Sequence, residues 1–317
     1  MSVNSVNKEA LIESQILSSA MVMTEGVVMS SYLHRDNTHG SVKLSPAAQT
    51  TAEVLNWMLS GMKPLEWKVV HLTHHAFQDT EPTSDQWEMI QKQYPGAPIE
   101  AFRDPHSPIL EGHLNVLLKN GVSYYPKAAK AILPYLKKLE ADSVPRELWP
   151  PHLANVDLNQ SKFENTIDKI PHGRLLGLFA TAGVIAATRG KKTAAITMAE
   201  YVPLVLLLGG GVNMMGHTGQ VENEIERMRV VLGKKAAVPD ENGSYASNFF
   251  KYLAFLTAGE ANHGDHHKNP GNPFITSENN VFKDPSSILL KLLSKMVIQG
   301  KPQAIFPSKK EKIILDN

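Results

Sequence analysis

The chain contains no cysteine. That excludes a disulfide framework, a thiolate zinc site and cysteine-ligated iron–sulfur chemistry. It also lacks a surplus of either charge. Its 32 Lys and Arg stand against 31 Asp and Glu, a net charge of +1, so nothing electrostatic argues for nucleic acid as a partner. No succession of basic, apolar and small residues opens it, so no secretory signal is read. Long apolar runs are few, and a hydrophobic content of 42% is low for a polytopic membrane protein. No run of alternating polarity demands a sheet, and no internal repeat stands out apart from one pair of histidine runs.

Histidine is what the chain has in quantity. Nine of its thirteen histidines fall into four clusters: His34-Arg-Asp-Asn-Thr-His39, His71-Leu-Thr-His74-His75, Asn213-Met-Met-Gly-His217 and His263-Gly-Asp-His266-His267. Neutral imidazole suits iron, copper and zinc. In a helix, residues at i, i+3 and i+4 share a face, so each HxxHH run aims three rings at one region, and Asn213 and His217 pair in the same way. Nine imidazoles exceed what one ion accepts, which predicts two adjacent metals. A histidine-zinc hydrolase of the HExxH kind would need a glutamate beside its ligands, and neither HxxHH has one. Glu260 forms an ExxH pattern with His263. A carboxylate di-iron bundle needs two such motifs and two further glutamates, and no second motif is found among the clusters.

Two stretches are apolar enough to consider as membrane segments. Leu175 to Thr188 is uncharged but only fourteen residues long, nearer a buried or interfacial helix. Thr193 to Gly216 is long enough to span, although it contains Glu200 and Pro203. The polar turn Arg189-Gly-Lys-Lys192 joins them. The N-terminal stretch Ala10 to Leu33 reads as a helix that Glu13 and Glu25 make too polar for a span. A two-pass hairpin returns the chain to the side it left, so all nine histidines can share one membrane face. Lys162, Lys169 and Arg174 before the hairpin, with Arg227, Arg229, Lys234 and Lys235 after it, outnumber the three cations of the turn. That places the histidine face in the cytoplasm.

Elsewhere the pattern is helical. Ser45 and Pro46 are the cap and first residue of a helix running through Met58. Pro126 to Glu140 is a basic amphipathic helix carrying Lys127, Lys130, Lys137 and Lys138. Its charges are read as a solvated face, with acidic headgroups or carrier phosphates as the sharper alternative. Val144–Pro151 and Asn269–Pro273 read as loops.

The order HxxxxH, HxxHH, NxxxH, HxxHH resembles the membrane fatty acid desaturases, specifically the acyl-CoA delta-9 (stearoyl-CoA-type) branch. Thr24-Glu-Gly through His34-Arg35 is similar to the approach to that family's first box. Glu66-Trp67 stands before the second box, Asp104-Pro-His106-Ser-Pro resembles the Asp-Pro-His segment after it, and Gly259-Glu260 leads the third. The resemblance covers about residues 24 to 285. Two departures accompany it. Gln86 to Ile99 is extra sequence between His75 and Asp104. The family also carries a transmembrane hairpin ahead of the first box, whereas thirty-three residues precede His34, too few for two spans of about twenty residues. That first hairpin is therefore expected to be absent.

The resemblance implies an all-α, membrane-associated fold with a cytosolic helical cap around a non-haem di-iron site. It implies a single domain over 1–317: an N-terminal helix and first box (1–50), a helical region with the second box (51–165), the hydrophobic hairpin (166–218) and a C-terminal region with the third box (219–317). By resemblance, His34, His75, His217, His263 and His267 hold one iron. His39, His71, His74 and His266 hold the other, with Asn213 acting through water. Asp104, His106 and Glu260 are candidates for orienting those ligands; His113, in Glu111-Gly-His113, could do the same but reads rather as a residue without a role in the site, and His152 and His172 match no motif. The implied activity is an oxidoreductase that uses dioxygen to place a cis double bond in a fatty acyl thioester, on CoA or acyl-carrier protein. Electrons would come from a separate ferredoxin or cytochrome b5, since no His-Pro-Gly-Gly haem motif indicates a fused one. A lipid hydroxylase, acetylenase or decarboxylase on the same scaffold, or a non-catalytic homologue, are the alternatives.

Overall fold

A computed structural model describes residues 3–216, together with 257–258, 285–286 and 297–298. These residues are mostly helical, as expected. Helix α1 (Val3–Val28) passes directly into a π-helix, Met29–Thr38. Then come α2 (Pro46–Leu59), α3 (Pro64–Ala76), α4 (Ser84–Gln93), the short α5 (Pro108–Glu111) and α6 (His113–Lys119). A second π-turn, Asn120–Tyr124, leads into α7 (Tyr125–Ala141), followed by α8 (Lys162–Lys169), α9 (Gly173–Arg189) and α10 (Lys191–Gly216). Strands β1 (Lys43–Leu44) and β2 (Val297–Ile298) pair antiparallel.

Local chemistry sets several of these boundaries. Ser45 accepts the amide of Ala48 and Pro46 takes the first turn of α2, as the cap pattern predicts. In α7 the four lysines are exposed while Ala128, Ala129, Ile132 and Leu136 are buried, so the amphipathic reading holds. The extra sequence after the second box is helix α4, closed at its start by a reciprocal Thr83–Gln86 capping box. Ile90 of α4 and Tyr94 just beyond it join Val69 and Val70 of α3, Ile132 and Leu136 of α7, and Phe102, Trp149 and Leu153 in the largest core cluster. The insertion therefore covers the outer side of the helix that carries the second box.

The N-terminal helix corrects the sequence reading. Lys8–Thr38 is long and apolar enough to cross a membrane, as is Lys191–Asn213. The acids that made it look too polar are turned inward. Glu13 meets Arg189 at 3.2 Å and Thr193 Oγ1 at 3.3 Å, and Glu25 is buried. The outward face instead carries Leu11, Ile12 and Ile16, all exposed. Glu200, the acid inside the second span, likewise turns to α1 and accepts from Ser18 Oγ at 3.0 Å. A count of charges along the sequence misses this, because the cost of a polar residue depends on whether it faces lipid or a partner helix.

Contacts of Ser14 with Thr193 and of Ser18 with Glu200 rise together along both chains, so α1 and α10 run parallel. Helix α9 connects to α10 through Gly190 alone, at φ +93°. It meets α8 at a 96° bend, and only the two together would make a third span. Both α1 and α10 thus point toward the histidine end, and α9 packs against α10 and α2.

Helix α9 is locked to α2 by Trp57 Nε1 donating to Gly173 O (2.8 Å) and Thr181 Oγ1 donating to Met58 O (2.8 Å). At the crossing, a Cβ on Gly177 would run into the backbone carbonyl of Trp57, whereas one on Gly183 would meet open space. Gly177→Leu should therefore lose most monodisperse, detergent-extracted protein, since overpacking costs about 1–3 kcal/mol or more when backbone is the obstacle. Gly183→Leu should behave as the parent on size-exclusion chromatography; equal yields for the two would contradict the crossing.

Candidate metal centre

The first histidine box depends on an unusual winding. In an α-helix at 3.6 residues per turn, residues five apart point roughly 140° away from each other. Here the segment Met29–Thr38 is a π-helix, and His39 N–H donates to His34 O at 3.0 Å, the i→i+5 bond of that form. The five-residue spacing then matches the turn. His34 and His39 come onto one face with ring centroids 4.9 Å apart.

Helix α3 brings the second box against them. His71 and His75, one α-turn apart, face this pair: the ring centroids lie 4.8 Å apart for His34 and His71 and 4.8 Å for His39 and His75. His71 Nε2 lies 3.0 Å from His75 Nε2 and 3.2 Å from His39 Nε2. All four rings are buried, and their ligating nitrogens fall within 4.8 Å of one another. His74 turns elsewhere on the same helix. Its Nδ1 meets Asp104 Oδ1 at 2.9 Å and its ring lies 4.4 Å from that of His106, forming a second buried group.

The donor set fits a metal. An imidazole Nε2 carries either one hydrogen or one lone pair. His71 Nε2 cannot form good hydrogen bonds to both His39 and His75 from that single position. A cation among the three relieves the conflict. Nitrogens bound at 2.0–2.1 Å around a tetrahedral ion stand about 3.3 Å apart, close to the separations found. Buried, neutral nitrogen donors without thiolate suit iron, copper or zinc.

Asp104 is the hub of the second group. It is fully buried, and it accepts from His74, from the Asp79 amide (2.9 Å) and from the His106 amide (3.1 Å). Thr80 O in turn takes the Asp104 amide at 2.9 Å. A carboxylate on Nδ1 fixes the His74 ring and its tautomer and leaves Nε2 as the nitrogen with a lone pair. The Asp-Pro-His segment thus packs against His74 of the second box.

Trp67, singled out in the sequence only as a neighbour of the second box, stacks on His71 at 5.2 Å with its planes 16° apart, and Tyr125 stacks on Trp67 in turn. The Trp67–His71 spacing, i and i+4, was the available signal. A cavity of about 270 Å3 opens beside these rings. Its walls are mostly apolar residues of α1, α2, α9 and α10, including Val22, Leu59, Leu178, Val202 and Val205, and His71 and His106 also line it. That volume lies near the lower bound of ligand pockets, about 300 Å3. Asn213 also lines it; the side chain is partly exposed and donates to Gly209 O of its own helix at 3.0 Å. His217, His263, His266, His267 and Glu260, and the Asn269–Pro273 loop, lie outside the described residues.

The remaining histidines stand apart from the four-ring group. His172 is an exposed residue preceding α9, and His113 opens α6. His152 is buried against Phe77 and Phe102. Burial pushes its pKa down to about 3, opposed by a hydrogen bond with the Ala101 backbone. Unfolding exposes a ring that protonates near 6.5, so the unfolded chain gains a proton as pH falls below that value and the folded protein does not. Stability should drop by about 2 kcal/mol between pH 7 and pH 5 from this residue. His152→Gln, which cannot titrate, should remove that part of the acid limb in denaturant midpoints measured at the two pH values. An unchanged limb would mean the ring is not held neutral.

A family model for fatty acid desaturases matches residues 14–275. The chain belongs to the fatty acid desaturase family, a class of oxidoreductases acting on lipid in association with membranes. No curated sequence matches the chain closely enough to be called a relative.

Proposed function

We propose that the protein is a fatty acyl desaturase that introduces a cis double bond, at the delta-9 position, into a thioester-bound acyl chain. One observation carries this reading: four buried imidazoles from two helices converge, and one of them, His71, also lines a mostly apolar cavity walled by candidate membrane helices. The cofactor is two irons. His34, His39, His71, His74 and His75 contribute from the first two boxes, His217, His263, His266 and His267 from the others, and Asn213 through water. Iron at such nitrogen sites supplies activation of dioxygen with electrons from a separate ferredoxin or cytochrome b5.

The chain's own residues do the rest. The cavity wall excludes water and holds an extended apolar chain against the histidine end, which fixes the C–H bonds that can react. Trp67 and Tyr125 back the His71 ring and hold its orientation. Asp104 holds the proton of His74 Nδ1 and keeps that ring in a single tautomer. By the balance of flanking cations, the histidine face is cytoplasmic.

Protein prepared anaerobically from the membrane fraction in detergent should carry about two irons per chain. With dioxygen and a reductant it should convert stearoyl-CoA into a mono-unsaturated product seen by mass spectrometry. Active, monodisperse protein in a detergent-free high-speed supernatant would reject the membrane placement. A hydroxylated product in place of the alkene would move the activity to the related hydroxylase chemistry, and zinc alone in active protein would reject the irons.

A further inference from the structure

The cavity that meets His71 is not purely apolar, and several of its polar atoms lack hydrogen-bond partners among the described residues. Glu25, at the middle of the α1 span, lines it at 4% exposure; neither of its carboxyl oxygens has a hydrogen-bond partner among the described residues. Ser60 Oγ stands beside this carboxyl as a side-chain neighbour, and it also lies within hydrogen-bond distance of Asn56 Oδ1 (3.0 Å) and the Asn56 backbone oxygen (3.1 Å). Tyr201 donates its hydroxyl to Leu59 O at 3.0 Å. Three more side chains on the same wall share this condition among the described residues: Trp67 Nε1, Asn120 Oδ1 and the Tyr125 hydroxyl.

Leaving a buried polar group without a partner is unfavourable, and most so for a carboxyl. A cavity built only for hydrocarbon would be better lined with leucine at position 25, as it is at Leu59 and Leu178. Glu25 precedes His34 by nine residues on one continuous helix, on the order of 10 Å along its axis. The carboxyl is therefore several carbon–carbon bonds away from the reacting position on any chain lying in the cavity.

We infer that the cavity selects an oxygenated acyl chain, and that Glu25 recognises a hydroxyl on the part of that chain distal to the reacting carbons. The inference rests on the acyl desaturase reading and narrows its substrate class. A hydroxyl can donate to the carboxyl and accept from it in return, so either protonation state of Glu25 is satisfied. An amine would require burying a full ion pair, which the apolar walls do not repay.

The test is displacement of radiolabelled hexadecanoyl-CoA from metal-loaded, detergent-solubilised protein. The competitors are dodecanoyl-, hexadecanoyl- and octadecanoyl-CoA, their terminally hydroxylated counterparts and an amino-terminated one. For at least one length, the hydroxylated chain should compete roughly five- to tenfold better than the plain chain, the effect of one net hydrogen bond. Glu25→Leu should reverse the order. Glu25→Gln, which keeps a donor and an acceptor at the same place, should preserve the preference with metal content unchanged. Equal competition by plain and hydroxylated chains in the parent, or a preference that survives Glu25→Leu, would overturn the inference and leave the desaturase reading standing. Preference for the amino-terminated chain would overturn the hydroxyl assignment. Failure of every acyl-CoA to compete would remove the acyl cavity itself, and both readings with it.

Discussion

His71→Ala should cost more than any other single change in the described residues. The His71 ring nitrogen is the common neighbour of His75 at 3.0 Å and His39 at 3.2 Å, and its ring touches His34. Its removal takes a donor from the centre of the group, not from its edge. Metal content should fall well below that of the parent, and desaturated product should drop by more than the roughly 100-fold typical of losing an outer partner. Metal analysis and product quantification on the same preparation check both. His172→Ala, at the exposed residue before α9, should change neither. Full metal and full turnover in His71→Ala would take the second box out of the site.

The second large effect is expected at Asp104, and two substitutions there separate its roles. Asp104→Asn keeps the size and one accepting oxygen but removes the charge and the second acceptor. The fold should survive, while the metal is lost to a competing chelator roughly 10–100-fold more readily because His74 is less basic and less firmly held. Asp104→Ala removes the acceptor of three donors, two of them buried: His74 Nδ1–H, the amide of His106 and the part-buried amide of Asp79. At about 1–3 kcal/mol for each stranded donor, folded yield should fall as well. If Asp104→Asn binds metal as tightly as the parent, the carboxylate serves the loop that carries Asp79 and does not tune His74.

Much of the site was legible because metal chemistry leaves regular spacings. His71 and His75 on one helical face, Ser45 and Pro46 at a helix start, and the exposed lysines of α7 all follow from the α-helical period, and the structure bears them out. What was missed depended on partners distant in sequence. Glu13 and Glu25 looked like obstacles to a span because their cost was counted by position along the chain. Only the parallel packing of α1 on α10 reveals that they face inward. The partition of the second box is similar: Asp104 was a candidate to orient a ligand, but the spacing of His71-Leu-Thr-His74-His75 put all three rings on one region and did not say that His74 is the ring that turns to Asp104. The winding of the first box was encoded in its spacing, since five residues suit no face of an α-helix, yet reading it required taking that mismatch as information.

That winding ties the length of the first box to the shape of its backbone. A chain with one residue fewer between His34 and His39 would again place two imidazoles on one side, but as an ordinary α-turn. A chain of the present length forced into α form would swing His39 away from His71. Residue count and helix type must therefore change together, and single deletions in Met29–Thr38 act on the backbone form before they act on any side chain. Engineering that shortens or stiffens this segment alters the coordination geometry even when every histidine is kept. The tolerance of the first box is accordingly a matter of registration between two helical periods, set before any ligand is bound.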